Sequence, residues 1–477
     1  MFFHNDSAIW AQEVFGSCEL GDPRRKRRLV DLSTRLADDP SGSISRVCED
    51  DSAAREGSYK LIENRAVRPE EIAEGVYVHT VQQIQSRELV LAVQDTTTLS
   101  FSHSIGEDLR ENGSAAGFQV HSTLLVDGEN KELIGLIDQN RWLREPKEKR
   151  PGKDTRRNRT FENKESFKWA SAFQNTQKRL KDMSKVVTVC DREADIFDFL
   201  HMQMQDECRF VVRLTSNRAL QNQEDYLFDA IKKLPKLGER KVQISQRGAQ
   251  KASGSQLARP ARKKRIAATQ LSAGTVTLKV PRHGLSQNLE PIVINVVSVR
   301  EAQAPKDETP ISWMLLTTEP VSTPKQANKV VDIYACRWLV EEFHKVWKTG
   351  CKIQERRLQS LENMERMMVI TAPIAVRIFQ LKSLGEEQPK TLCTKVLSTD
   401  EWQYLWMIIE KTKCPSTPPS SLWAYHSLGK IVGWSDSKRT GRVGWQTLWL
   451  GWEKLHNQLL GWKAAMDMRE IDREPIH

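Results

Sequence analysis

The 477-residue chain has no long hydrophobic run. Its best apolar stretch, MMVITAPIAV at 367–376, falls well short of the roughly 20 residues that cross a bilayer, and Arg377 ends it. The start, MFFHNDSAIW, has neither a basic head nor a long apolar stretch, so no secretory leader is predicted. Eight cysteines occur without a single C-x-x-C pair, which reads as reduced packing thiols in a cytosolic protein. Neither G-x-G-x-x-G nor G-x-x-x-x-G-K-[ST] is present, which leaves a dinucleotide-binding dehydrogenase or a P-loop ATPase unsupported. Acidic charge is in deficit: 72 Lys and Arg against 62 Asp and Glu give a net +10 and a pI near 9.1. That balance points toward a polyanion, most often nucleic acid.

What is present is organised around TPKQANKVVDIYACRWLVEEFHKVWKTG, residues 323–350. Thr323 and Pro324 stand as N-cap and first helical residue and Gly350 as a stop, which predicts one long helix. At about 100° per residue, Tyr334, Arg337, Glu341 and Lys348 share one narrow polar stripe. Leu339, Val340, Phe343, Val346 and Trp347 form a separate core face. Taken alone, such a stripe is equally a surface helix laced with salt bridges.

Two aspartates upstream change the balance. Asp95 follows ELVLAVQ and Asp191 follows KVVTVC, each an apolar run of strand length. Open α/β sheets place their sites at strand ends. Two strand-end aspartates and a helix glutamate make a metal-binding triad. Strands are predicted at 88–94, 120–126, 132–143, 185–190 and 209–214, with helices at 161–183 and 194–206. That order is the ribonuclease-H-like one, an α/β fold with a mixed sheet and helices on both faces. Its first and fourth strands are central neighbours, which brings Asp95 and Asp191 together.

Three further regions surround this core. Residues 1–70 read as a separate helical domain, with Arg24, Arg25, Lys26, Arg27 and Arg28 consecutive behind an Asp22-Pro23 helix start. A helix ringed by basic residues suits phosphates, although such runs are more often merely solvated. Residues 71–370 form the catalytic domain, interrupted at about 215–322 by an inserted antiparallel β subdomain that carries the basic run ARPARKKR at 258–265. Residues 371–477 are helical, and eight of the 14 tryptophans fall between Trp402 and Trp462. Trp445, Leu448, Trp449, Trp452, Leu455 and Leu459 repeat at helical spacing, a stripe that suits either core or a partner chain.

QDTTTLS at 94–100, VCDREAD at 189–195 and the Tyr-x2-Arg-x3-Glu-x6-Lys spacing at 334–348 resemble the DDE transposases of the insertion-sequence-four family, most of all its transposon-five branch. LGDPRR at 20–25, CRFVVR at 208–213, WMLLTTEP at 313–320 and DSKRTG at 436–441 spread the likeness over nearly the whole chain. The resemblance implies a cut-and-paste enzyme that nicks transposon ends, passes through a hairpin, and joins both ends to target DNA. It implies Asp95, Asp191 and Glu341 as catalytic carboxylates holding two Mg²⁺ ions per site, with Mn²⁺ tolerated. Asp95 would bridge the ions.

Tyr334, Arg337 and Lys348 would hold phosphates, and His344 and Lys345 would lie near the DNA. Arg213, Arg218 and Trp313 stand where the family contacts DNA, Trp313 being either a core residue or a platform for a flipped base. Thr215 replaces a family lysine, which weakens that contact. Arg24, Arg25, Arg27 and Arg28 would belong to the end-recognition domain. Implied partners are double-stranded transposon-end DNA, target DNA and a second copy in a synaptic homodimer, with no membrane, in a bacterial cytoplasm and on its nucleoid. A stand-alone Mg²⁺ endonuclease and a DNA-binding inhibitor of transposition remain the alternatives.

Overall fold

Asp6 starts the first helix, accepting hydrogen bonds from the backbone N–H groups of Ala8 and Ile9. In this computed structural model the described residues are 6–471, apart from 112–116, 145–159, 222–223, 245–248, 250–260, 262, 283–287, 306–307, 309 and 438–440. Helix α1 (Ser7–Phe15) is followed by α2 (Pro23–Asp38), α3 (Ile44–Val47), α4 (Ser52–Glu63) and α5 (Pro69–Gln82). The Asp22 cap and Pro23 begin α2 as its sequence predicts, and Leu29, Leu32 and Leu36 bury one face.

A nine-stranded sheet follows, in the order β3-β2-β1-β4-β5-β9-β8-β7-β6. Its strands are β1 (Val90–Ser100), β2 (Gly117–Asp127), β3 (Leu133–Leu143), β4 (Val186–Cys190), β5 (Arg209–Arg213), β6 (Lys236–Ile244), β7 (Arg265–Leu278), β8 (Ile292–Glu301) and β9 (Ser312–Thr317). β1 and β4 pair in parallel, as do β4 and β5, whereas β1–β2 and β2–β3 are antiparallel. This is the mixed sheet expected of a ribonuclease-H-like domain. The inserted strands are antiparallel but build no sheet of their own: β9 pairs with β5, so β8, β7 and β6 prolong the same sheet. Of the basic run at 258–265, residues 258–260 and 262 lie outside the described residues, while Arg265 starts β7 and is ion-paired with Glu301 and Glu308.

Helix α6 (Ser104–Glu111) follows β1, α7 (Lys168–Leu180) precedes β4, α8 (Phe197–Gln205) precedes β5, and α9 (Leu227–Lys233) precedes β6. Two short 3₁₀ turns, Phe161–Asn163 and Glu165–Phe167, occupy the start of the helix predicted at 161–183. The long helix predicted over 323–350 is two helices, α10 (Pro324–Ala335) and α11 (Trp338–Lys345), ending in a π turn at Val346–Gly350. Cys336 and Arg337 keep right-handed dihedrals, so the chain turns there without a glycine or proline to announce it.

Adjacent strand residues point to opposite faces, and this fixes the layers. His121 of β2 meets Trp169 of α7 edge-on at 4.6 Å, while the next residue, Ser122, meets His344 of α11 at 3.1 Å. Helices α7 and α11 therefore cover opposite faces of the sheet. Asp95, opposite Ser122 in the β1–β2 register, lies on the α11 face.

The apolar run at 367–376 forms the middle of α12 (Leu361–Glu387), around Pro373. No helix among the described residues is long and apolar enough to cross a membrane. Helices α13 (Thr399–Glu410), α14 (Ser421–Lys430) and α15 (Trp445–Ile471) complete the chain. Leu448, Trp449, Trp452, Leu455 and Leu459 are buried, so that stripe is core. Leu460, Trp462, Met466 and Met468 stay exposed further along α15.

The N-terminal helices are not separate from the rest. Arg366 donates to the carbonyls of Val67 and Ile62 at 2.6 and 3.1 Å, and Arg356 to those of Pro40 and Gly42 at 2.6 and 2.9 Å. Arg377 donates to Ser7 Oγ at 2.8 Å and lies over the Trp10 ring. Buried charge of this kind persists only when its donors are satisfied.

Candidate active site

Asp95 and Asp191 meet because β1 and β4 run in parallel. Their ladder ends at Val93 with Val189, and each aspartate stands two residues beyond. Asp95 does not end its strand, since the antiparallel ladder with β2 carries β1 on to Ser100. Asp191 does end β4, and its carboxylate accepts the Glu193 N–H at 2.7 Å.

Burial pushes the Asp95 carboxyl up to about 7; Arg337 opposes this, and the negative charges of Asp191 and Glu341 add to it. Asp191 is also raised, first by burial, against the Glu193 N–H, which holds it down. Three carboxylates thus share one partly dry place.

Glu341, on α11, is ion-paired with Arg337 one turn back. Burial works against the Arg337 charge, but Glu341 beside it, with Tyr334 and Asp95, raises its pKa overall. Lys348 lies in the π turn; burial lowers its pKa, and the charge of Asp95 partly restores it. The predicted stripe therefore converges on Asp95 although the helix is interrupted. No group of three His, Cys, Asp or Glu side chains among the described residues is arranged to hold a metal ion. The Glu341 carboxylate is turned onto Arg337 instead. The donor set still suits a hard divalent cation: carboxylates only, two of them aspartates that burial raises in pKa.

The other predicted residues divide. Tyr334 is buried, hydrogen-bonded to Arg213, and edge-on to Trp313 at 5.5 Å. Trp313 is half-buried against the core. Lys345 is exposed, whereas His344 is buried, with Nε2 on Ser122 Oγ and Nδ1 3.9 Å from Asp95 Oδ2. Burial, then Lys348, drives its pKa down to about 3, so the ring is neutral.

Arg218 departs from expectation. Its guanidinium is turned inward onto Asp195, at 2.5 Å from Oδ1 and 2.7 Å from the backbone oxygen, rather than outward to a DNA strand. Asp195 holds more than this arginine. Its other oxygen accepts the N–H groups of Thr215 and Ser216 at 2.8 and 2.7 Å, fixing the loop after β5. Far from this site, Arg24, Arg27 and Arg28 of α2 are exposed, with Arg24 bonded to Asp22, while Arg25 donates to the Leu20 carbonyl at 2.9 Å.

Sequence reasoning missed Ser122 and Gln139, the polar residues beside Asp95 on the α11 face, and His121 on the opposite face. Only their place in otherwise apolar strands could have flagged them.

The family model described as Transposase DNA-binding matches residues 7–67, and the one described as Transposase DDE domain matches residues 170–376. The second span holds Asp191 and Glu341 and begins after Asp95, whose place in the site comes from the β1–β4 pairing. DDE transposases use divalent metal ions, generally Mg²⁺. A DNA-binding domain joined to this domain makes the chain a DDE transposase, a metal-dependent enzyme that cleaves DNA and transfers its strands.

Proposed function

We propose that the chain is a cut-and-paste transposase of the insertion-sequence-four family, in which Asp95, Asp191 and Glu341 hold two Mg²⁺ ions, with Mn²⁺ an acceptable substitute. The observation that carries this reading is the raised carboxyl of Asp95 beside Asp191 and beneath α11. Bound divalent cations supply activation of the attacking oxygen and neutralisation of the leaving oxygen in phosphodiester chemistry.

The chain's own groups do the rest. Arg337 offers a phosphate two parallel N–H donors, Lys348 a point charge and Tyr334 a hydroxyl. A phosphate taken by Arg337 releases Glu341 toward the aspartates. Trp313, edge-on to Tyr334, is the platform for an unstacked base, and base stacking of this kind is worth about 1–3 kcal/mol.

Residues 1–70 recognise the transposon end through α2 in this reading, and 71–370 carry the chemistry through a hairpin step. Residues 371–477, with the exposed end of α15, pair two copies on two ends. The protein would work in a bacterial cytoplasm, on the nucleoid.

The test is a duplex carrying the terminal inverted repeat that borders the gene, incubated with Mg²⁺. Wild-type protein should bind it, nick it, form a hairpin and join precut ends to plasmid DNA. Cutting without joining would leave a stand-alone endonuclease, and binding alone a regulator.

A further inference from the structure

One rung of the sheet carries Gln139 on β3, Ser122 on β2 and Asp95 on β1, each opposite the next in register. All three lie on the face that α11 covers, where His344 sits above them. Gln139 and Ser122 are buried, and so is His344.

The donors run in one direction. The Gln139 amide Nε2 donates to Ser122 Oγ at 3.2 Å. The other partner of Ser122 Oγ among the described residues is His344 Nε2, 3.1 Å away, and giving its single proton to that nitrogen is what leaves the buried hydroxyl proton with an acceptor. A neutral imidazole has one N–H, so accepting at Nε2 places that proton on Nδ1. His344 Nδ1 is 3.9 Å from Asp95 Oδ2, beyond hydrogen-bond length but the nearest ring edge to that carboxylate.

We propose that Gln139, Ser122 and His344 form a positioning relay that fixes His344 as the Nδ1–H tautomer and aims that donor at Asp95. Such a neutral donor orients a carboxylate without competing with cations for the site. Outer partners of metal-holding groups act in this way, and their loss costs about 10- to 100-fold in metal affinity or activity. The inference rests on the proposed role of Asp95 only for its consequence in catalysis. The tautomer itself does not depend on that role.

The experiment is long-range ¹H–¹⁵N spectroscopy of the full chain with ¹⁵N-labelled histidine, at pH 7 and without metal or DNA. His344→Gln identifies the His344 signals by their loss. An unprotonated Nε2 and a protonated Nδ1 are expected in the wild type. Ser122→Ala should move His344 toward the Nε2–H form and lower the rate of Mg²⁺-dependent end cleavage about 10- to 100-fold, with the Kd for end DNA unchanged. Ser122→Thr, which keeps the hydroxyl, should restore both.

A wild-type His344 protonated at Nε2 overturns the relay, because Ser122 would then accept from the ring instead of donating to it. So does a Ser122→Ala spectrum identical to wild type. If Ser122→Ala does not fold, the wild-type spectrum alone decides. The expected tautomer in a protein that cuts no DNA counts against the proposed function and leaves the relay standing.

Discussion

Asp95 and Asp191, 96 residues apart in the chain, stand side by side two residues beyond the last pair of a parallel ladder. Burial is the main reason the Asp95 carboxyl is raised, and the negative charge of Asp191 adds to it. Asp191→Asn should therefore raise the metal-free melting temperature at pH 8 while abolishing Mg²⁺-dependent cleavage. Calorimetry paired with an end-cleavage assay checks both. A melting temperature that falls would mean that the two carboxylates do not repel across the site.

The pH dependence follows from the same pair. The Asp95 carboxyl sits at about 7 instead of 3.8. An acid raised on folding binds more protons in the native state than in the unfolded state between those values. Metal-free stability should thus fall as pH climbs from about 4 to about 7. Cations compete with the same proton, so Mn²⁺ affinity should weaken about tenfold per pH unit below about 7 and level off above it. Calorimetric Mn²⁺ titrations across that range provide the measurement.

Arg337 holds Glu341 in the absence of DNA. Arg337→Ala should bind Mn²⁺ more tightly than wild type without DNA, yet bind end DNA several-fold more weakly, since one phosphate partner is gone. Paramagnetic titration and gel shift read the two effects separately. Unchanged Mn²⁺ affinity would show that the ion pair does not restrain Glu341.

Arg366→Ala removes the donor that serves the Val67 and Ile62 carbonyls inside the protein. Leaving buried acceptors unpaired should cost roughly 2–3 kcal/mol. Urea unfolding should show that loss, and limited proteolysis should show earlier cutting near residue 68. Equal resistance to protease would mean that the N-terminal helices are held elsewhere.

Much of the site could be read from the sequence because its parts obey short periods. Asp95 and Asp191 each follow an apolar run, and Arg337, Glu341 and Lys348 repeat at helical spacing. The turn at Cys336 and Arg337 escaped because no glycine or proline marks it. The extension of β1 to Ser100 escaped because the expected strand stopped at Gln94, although the β-branched TTTLS suits a strand and pairs with GFQVH of β2. Nothing in the sequence around Arg356, Arg366 or Arg377 says what they bind. Arg356 and Arg366 reach backbone carbonyls about 300 residues earlier in the chain, and Arg377 reaches the Ser7 hydroxyl, partners that no periodicity reveals. Arg218 shows that a cation near a site can serve an internal carboxylate, here Asp195, as well as a phosphate.

The central claim is that positions 95, 191 and 341 gather divalent cations once DNA is bound. A crystal of the protein with precut end DNA and Mn²⁺ tests it by anomalous scattering. The expected map has two peaks about 3.5–4 Å apart, with Asp95 between them, Asp191 on one, and Glu341, released from Arg337, on the other. Peaks held by other residues, or Glu341 still bound to Arg337 beside an ordered cleavage site, would contradict it.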